Sequence, residues 1–166
     1  MNVALQQLIE ALRQELQQYG EMLALLEQQQ DGVLHRRAEQ LLQTVDAIQA
    51  QARVLQQARE HRETCRGALA RALGLSESVG LSDLIPHLPA EYRPLLEALI
   101  QENNDLLVRV QQRARQNHLL LHRAVELMQK LIAACLPGST PQTYNGQGQV
   151  PSAQPWPTST LLNAIG

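Results

Sequence analysis

The first thirty residues carry apolar side chains at alternating steps of four and three. This spacing places them in one narrow stripe along an α-helix, the heptad pattern by which helices pack against other helices. Leucine and glutamine dominate the composition, phenylalanine is absent, and aromatic residues make up only 2% of the chain. A β-protein would need more β-branched and aromatic residues, so we expect leucine-rich helices to build the interior. The stripe consists of Leu5, Ile9, Leu12, Leu16, Tyr19, Leu23 and Leu26.

The stripe is interrupted near Gly32 and then resumes with its phase shifted by one residue. Glycine is unfavourable inside a helix and common just after a helix end, so we expect a break at about residues 30–37. A single helix over residues 3–73 would be roughly 105 Å long, and the rest of the chain could not cover it. We therefore predict two helices, at about 3–31 and 35–73. The second stripe comprises Leu34, Ala38, Leu41, Val45, Ile48, Ala52 and Leu55.

Residues 74–91 hold several glycines and prolines and form a predicted connector. A third long helix is predicted at about 92–136, where Pro94 fits the first turn because its missing N–H does no harm there. The apolar stripe of this helix slips once, between Val110 and Ala114. Its members are Leu96, Leu99, Asn103, Leu106, Val110, Ala114, Asn117, Leu121, Ala124, Met128, Leu131 and Cys135.

Two positions of this third stripe are asparagines, Asn103 and Asn117. A buried asparagine stabilises less than leucine, but it penalises wrong registers because its amide must find a partner. The alternative is that the helix has rotated at the slip, so that both amides face water. The sequence leaves both interpretations open.

Composition changes at Pro137, because residues 137–166 contain no charged side chain and five of the eight prolines. Such a segment cannot form a core alone, so we predict a flexible uncharged tail at residues 137–166. Together with the helical stripes, this gives an all-α fold: an antiparallel bundle of long coiled-coil-like helices at residues 1–136, followed by that tail. The tail nevertheless contains side chains suited to anchoring it on a partner. The alternative is a spacer that docks back on the bundle. These side chains are Tyr144, Trp156, Leu161, Leu162 and Ile165.

Signals for catalysis or cofactor binding are weak. His118 and His122 share a helix face, but they lack the glutamate of an HExxH motif and a third ligand, so two partly exposed histidines are the simpler interpretation. His61 and Cys65 are also four residues apart, again without a third group. We therefore predict that the chain is not an enzyme and has no catalytic residue, no metal and no cofactor.

The remaining features favour a protein partner. A net charge of −2 gives no reason to expect nucleic acid. No run approaches the ~20 apolar residues of a membrane span, and the amphipathic N-terminus does not resemble a secretory signal, so we expect no membrane insertion and a cytoplasmic protein. The third helix would span roughly 65 Å and the first about 42 Å, which leaves part of the stripe uncovered. Such a stripe is a natural groove for a partner's amphipathic helix.

Several motifs occur in a characteristic order along the chain. They are ELQQYGEMLALLE at 15–27, Arg59 with a terminal Leu73-Gly74, LSDLIPHLP at 81–89, Asn117 with Leu120 and Leu121, and TYNGQG at 143–148. This order resembles the FlgN family, the flagellar export chaperones for hook-associated proteins, over essentially the whole length. Ala114 stands where the family pattern has a first asparagine.

The resemblance implies a cytoplasmic chaperone that binds the C-terminal helices of hook-associated proteins, which form the hook–filament junction, and prevents their premature assembly. It further implies delivery to the flagellar type III export gate and ATPase complex, with Tyr144 docking at the gate. The alternative is a self-associating structural coiled-coil scaffold. The candidate partner-binding residues are Asn117, Leu120, Leu121, Ala124, Met128, Leu131, Tyr144, Trp156, Leu161, Leu162 and Ile165.

Overall fold

The computed structural model describes residues 2–135, and within that range it contains helices and connecting turns but no strand. Helix α1 spans Asn2–Leu34 and α2 spans Ala38–Ala72. The short helix α3, Leu81–Leu84, and a 3-10 turn at Ile85–His87 lead to α4, Arg93–Cys135. The all-α prediction is confirmed, while the tail predicted at 137–166 lies outside the described residues. The chain divides into two units between Glu126 and Leu127, so the last turns of α4 belong to the second unit.

Helices α1 and α2 form an antiparallel hairpin. Gln51 donates a hydrogen bond to the carbonyl oxygen of Gln18 at 3.1 Å, and Arg62 donates to the carboxylate of Glu15 at 2.9 Å. Residues further along α2 therefore contact residues nearer the start of α1, as antiparallel helices require. The stripe predicted for α1 is buried apart from Leu16, which is half-buried.

The hairpin turn shows why the two helices separate where they do. The Arg37 N–H donates to the Gly32 carbonyl at 2.9 Å and the Arg36 N–H to the Val33 carbonyl at 3.3 Å, a Schellman motif with Arg36 in the left-handed conformation at φ 55°. The expectation that Gly32 follows the helix end is wrong, because Gly32 lies inside α1 and is buried. A Cβ atom there would lie 3.2 Å from Leu41 Cδ2, so glycine permits the close approach of α2.

The hydrophobic core lies where the start of α1, the end of α2, the α3 segment and the start of α4 meet. Leu84 and Leu88 of the connector are almost fully buried, so this segment is part of the core and not a loose link. Each leucine side chain that becomes fully buried contributes roughly 2 kcal/mol. The core residues are Leu5, Leu8, Ile9, Ala11, Leu12, Cys65, Leu69, Ala70, Leu84, Leu88, Leu96 and Leu99.

The stripe predicted for α2 is partly wrong at its N-terminal end. Leu34 is the last residue of α1 and is exposed, as are Ala38 and Val45, while Thr44 is buried instead. The Thr44 hydroxyl donates to the Leu41 carbonyl at 2.8 Å, and this bond lets a polar residue occupy an inward position. Apolar spacing alone therefore misplaces the inward position by one residue at Thr44, while Leu41, Ile48, Ala52 and Leu55 lie on the buried or half-buried side as predicted.

A buried polar cluster joins α1 to α2 beyond the core. Glu15 is only 3% exposed, and its carboxylate accepts hydrogen bonds from Arg62 at 2.9 Å and from the Tyr19 hydroxyl at 3.1 Å. The Tyr19 hydroxyl accepts a bond from Arg59 at 2.8 Å, and the Arg59 guanidinium lies 5.4 Å from the centroid of the Tyr19 ring. A buried carboxylate is costly unless it is paired, so these contacts hold α2 in one register on α1.

Burial of Tyr19 makes the stability of the fold sensitive to alkaline pH. Desolvation raises the pKa of its hydroxyl above the ordinary value of 10.0; the hydrogen bond from Arg59 partly opposes this rise and the charge of Glu15 adds to it. At pH values between the unfolded and the folded pKa, the folded state keeps this proton and the unfolded state has lost it. The resulting stabilisation is fully present below the unfolded pKa and is lost as pH rises through the folded pKa. We expect Tyr19→Phe to flatten the fall in the free energy of unfolding above about pH 10, measured by urea denaturation. A fall as steep as that of the natural chain would contradict this.

The left-handed residue of the hairpin turn can be tested directly. A non-glycine residue in this conformation costs roughly 1 kcal/mol, whereas glycine adopts it readily. Arg36→Gly should therefore raise the free energy of unfolding by up to about 1 kcal/mol, as measured by chemical denaturation. Gly74 has φ 71° and holds the equivalent position after α2, so Gly74→Ala is the matched control and should lower stability by a similar amount. A loss of stability in Arg36→Gly would show that the arginine side chain outweighs the backbone strain.

Candidate partner-binding surface

Two asparagines hold α4 alongside α1. Asn103 Nδ2 donates to the Leu12 carbonyl oxygen at 3.1 Å, and Asn117 Nδ2 donates to the Leu26 carbonyl oxygen at 2.6 Å. Donor and acceptor are 91 positions apart in both pairs, so α4 runs parallel to α1 in one register over two heptads. Both asparagines are buried, so the interpretation that they face water is wrong. The paired Nδ2 groups of these side chains penalise a shifted register.

The slip predicted between Val110 and Ala114 coincides with a polar contact. Arg113 takes the place that an apolar residue would occupy in an unbroken stripe; it donates a hydrogen bond to Gln30 and lies 3.6 Å from the Glu27 carboxylate. The long apolar stem of arginine stays on the helix surface while its head reaches these acceptors. The positions spaced seven residues apart that include both asparagines therefore stay on the same side of α4 before and after the slip.

The pairing of α4 with α1 ends before α4 does. In the register set by the asparagines, Leu34 at the end of α1 corresponds to Val125 of α4. The apolar residues of α4 that approach this position are less covered than those in the core: Leu120, Leu121 and Ala124 are half-buried, and Val125 is exposed. No residue of α1 remains to continue the pairing.

The last turns of α4, Leu127–Cys135, carry the densest group of exposed apolar side chains among the described residues. Four of them are 59% to 66% exposed. At about 100° per residue they share one side of the helix with exposed Cys135, and Lys130 is the sole charged residue of the segment. Contiguous exposed apolar surface of this kind marks interaction sites. We call this surface the terminal face; it consists of Leu127, Met128, Leu131, Ile132 and Cys135.

The candidate residues from the sequence fall in different places. Met128 and Leu131 lie on the terminal face, whereas Asn117 is buried and also bonds to Gln29 at 3.0 Å. Leu127 and Ile132 were not predicted, because a heptad stripe counts only two positions in seven. A helical wheel drawn over these nine residues would have found both. The candidates outside the described residues are Tyr144, Trp156, Leu161, Leu162 and Ile165.

Three groups of polar side chains in the described part bear on metal binding or nucleophilic chemistry. Within residues 2–135, no three His, Cys, Asp or Glu side chains converge on a possible metal position. The Cys65 sulfur lies 3.8 Å from His61 Nε2, but burial raises the pKa of the thiol and so disfavours the nucleophilic thiolate. A cleft of about 410 Å³ opens beside Glu15, whose carboxylate is already paired with Arg62. These groups stabilise packing and supply no activated nucleophile.

A family model described as FlgN protein matches residues 1–152. The chain belongs to the FlgN family. This confirms the resemblance drawn from the motifs, and the family is one of flagellar export chaperones. No curated protein and no solved structure gives a significant match. Among residues 2–135, the longest helices are too polar to cross a membrane.

Several motif residues within the described part of the chain take part in helix packing. Glu15 and Tyr19 of α1 meet Arg59 of α2 in the buried polar cluster, and Asn117 ties α4 to α1. None of the motifs includes the terminal face. Among the described residues, Glu15, Tyr19, Arg59 and Asn117 of the motifs thus set helix register, while the exposed apolar surface lies elsewhere.

The position of Asn117 leads to a prediction about stability. Asn117→Ala removes the bonds to Leu26 and Gln29 and leaves the buried Gln29 amide without this partner, so the free energy of unfolding should fall by about 1–2 kcal/mol. Asn104→Ala is the matched control, because Asn104 is exposed on the same helix and should change stability by less than about 0.5 kcal/mol. Urea denaturation of both variants checks this. Equal stabilities would mean that Asn117 does not anchor α4.

Proposed function

We propose that this chain is a cytoplasmic export chaperone that binds the C-terminal helices of hook-associated proteins. By covering these helices it prevents their premature assembly, and it then delivers the bound protein to the flagellar type III export gate and ATPase complex. Membership of the FlgN family supports the class of function. The terminal face supports the mode of binding, and it is the observation that carries the proposal.

The terminal face suits an amphipathic helix better than a small ligand or a nucleic acid. It is convex and apolar, and its segment carries a single charge, that of Lys130. A partner helix with apolar residues at heptad spacing would place its side chains between Met128, Leu131 and their neighbours, as helices do in a coiled coil. Proteins that polymerise through such helices must expose the same stripe before assembly, so covering it suppresses self-association.

The candidate residues take distinct roles in this proposal. Met128 and Leu131 contact the bound helix, and Leu120, Leu121 and Ala124 form a second apolar contact in the first unit. Asn117 acts indirectly, by holding α4 in register. Further contacts are proposed for the tail, where Tyr144 docks at the export gate, as the family resemblance implies. The tail residues proposed to contact cargo are Trp156, Leu161, Leu162 and Ile165.

Leu131 offers the sharpest test of this site. Burying the 63% of its side chain that is exposed in the free chain should contribute about 2 kcal/mol to binding, so Leu131→Gln should weaken the affinity for a C-terminal segment of a hook-associated protein roughly 30-fold. Leu42→Gln is the matched control, since Leu42 is 72% exposed on α2 and is not part of the terminal face. Calorimetric titration measures both affinities, and thermal unfolding should show both variants as stable as the natural chain.

Two outcomes would count against the proposal. If no C-terminal segment of a hook-associated protein binds the natural chain, the export-chaperone function is wrong. If light scattering shows a stable oligomer that Leu131→Gln dissociates, the terminal face pairs copies of the chain, and the function is that of a self-associating scaffold.

A further inference from the structure

The guanidinium of Arg59 is held in place by the buried polar cluster between α1 and α2. Its Nε donates to the Tyr19 hydroxyl at 2.8 Å and lies 3.8 Å from the Glu15 carboxylate, and the group lies 5.4 Å from the centroid of the Tyr19 ring. These contacts restrict the orientation of the guanidinium. Among the described residues, however, its terminal nitrogens Nη1 and Nη2 have no hydrogen-bond acceptor. Arg59 therefore keeps donors available for a ligand.

The side chain of Arg59 lines the cleft of about 410 Å³ that opens beside Glu15, and the whole cleft lies within the first unit. Pockets that hold small ligands have volumes of roughly 300–1,000 Å³, so the cleft is large enough for one. Helices α1, α2, α3 and α4 all contribute to its walls. We call it the Arg59 cleft; its walls include Glu15, Arg59, Arg62, Leu81, Ile100 and Leu107.

The Arg59 cleft carries more positive than negative charge. Arg59 and Arg62 both line it, and Glu15 is the sole acidic residue among its lining residues. Arg62 binds Glu15 at 2.9 Å and also bonds to Glu63, which is shared in turn with Arg66. Three arginines thus share two carboxylates. Since a partly buried charge is costly without a partner, a bound carboxylate beside Arg59 would balance the surplus.

Apolar side chains form the opposite walls of the Arg59 cleft. Leu81, Ile100 and Leu107 line it and are half-buried, so part of each remains open to solvent. A small inorganic anion would leave these side chains uncovered, whereas the apolar part of an organic acid would bury them. The two terminal nitrogens of a guanidinium also match the two oxygens of a carboxylate. Charge and wall chemistry together favour an organic carboxylate.

We propose that the Arg59 cleft binds a carboxylate attached to an apolar group. Nη1 and Nη2 of Arg59 donate to the carboxylate oxygens, and Leu81, Ile100 and Leu107 contact the apolar part. Two sources carry this chemistry: a free carboxylic acid, and the C-terminal residue of a polypeptide that ends in an apolar side chain. The site contains no residue of the terminal face, so it goes beyond the proposed function and does not depend on it.

A titration of the full-length chain followed by NMR tests the site. The probes are N-acetylleucine, its uncharged amide, and acetate. The signals to follow are the Nε–H of Arg59 and the backbone amides of Ser82 and Asn104, since these residues also line the cleft. N-acetylleucine should shift all three signals. The amide lacks the charge and acetate lacks the apolar part, so each should bind about tenfold more weakly.

Three variants assign the binding to the Arg59 cleft. Arg59→Gln should weaken the binding of N-acetylleucine about tenfold, and Arg53→Gln is the matched control, because Arg53 is exposed on the same helix and does not line the cleft. Arg59→Gln also removes the bond to Tyr19 and so lowers stability. Asn104→Asp leaves that bond in place and adds a carboxylate to the wall, which should weaken binding roughly fivefold.

A short peptide that ends in leucine separates the two sources of the carboxylate. Tighter binding of this peptide than of N-acetylleucine, lost when the peptide ends in an amide, identifies a polypeptide terminus; equal affinities identify a free carboxylic acid.

Other outcomes would show that the Arg59 cleft is not a carboxylate site. They are equal binding of N-acetylleucine and its amide, binding to Arg59→Gln and Asn104→Asp that matches the natural chain, equal losses in Arg53→Gln and Arg59→Gln, or no shift with any probe at millimolar concentration.

Discussion

The contacts of Asn103 and Asn117 with the carbonyls of α1 set the register from which much of the remaining geometry follows. A shift of α4 by less than a heptad would rotate these amides out of their pairs, and a shift by a whole heptad would separate Arg113 from Glu27 and Gln30. The register also places Leu34 opposite Val125. The length of α1 therefore determines where α4 loses that neighbour.

The free energy of folding and the alignment of the helices depend on different parts of the helices. Leucines concentrate where the start of α1, the end of α2, the connector and the start of α4 meet. Their burial supplies much of the stabilisation of the fold. Beyond that core, the helices meet through a buried carboxylate with its arginine and tyrosine partners, and through the asparagines. Such polar contacts add little net free energy, but they tolerate few alternative arrangements. The leucine-rich core therefore stabilises the bundle, and the polar contacts select one alignment of its helices.

Heptad spacing predicted the elements that depend on a single periodic stripe. The inward face of α1 follows from it, because those positions repeat with the period of the helix. The spacing left open whether Asn103 and Asn117 face the bundle or water, and only the structure shows that both are buried. Heptad spacing failed at single residues whose position depends on a local contact. Gly32 lies inside α1, where Leu41 of α2 approaches it closely, and Thr44 is buried with its hydroxyl bonded to the Leu41 carbonyl. Spacing also could not indicate that α1 has two neighbours, so the full width of its buried side appeared only in three dimensions.

The same limit explains why the predicted stripe contains only Met128, Leu131 and Cys135 of the terminal face. A two-in-seven stripe includes Met128 and Leu131 and omits Leu127 and Ile132, although all four are exposed to a similar degree. The exposure of these four side chains also separates their proposed binding role from the stability of the fold. A side chain that is more than half exposed in the free chain contributes little to folding, so its identity is not constrained by the core. Asn117 is constrained in the opposite way, because its amide is buried against α1. Substitutions at Asn117 should therefore act on the fold first, and substitutions on the terminal face should leave the fold intact.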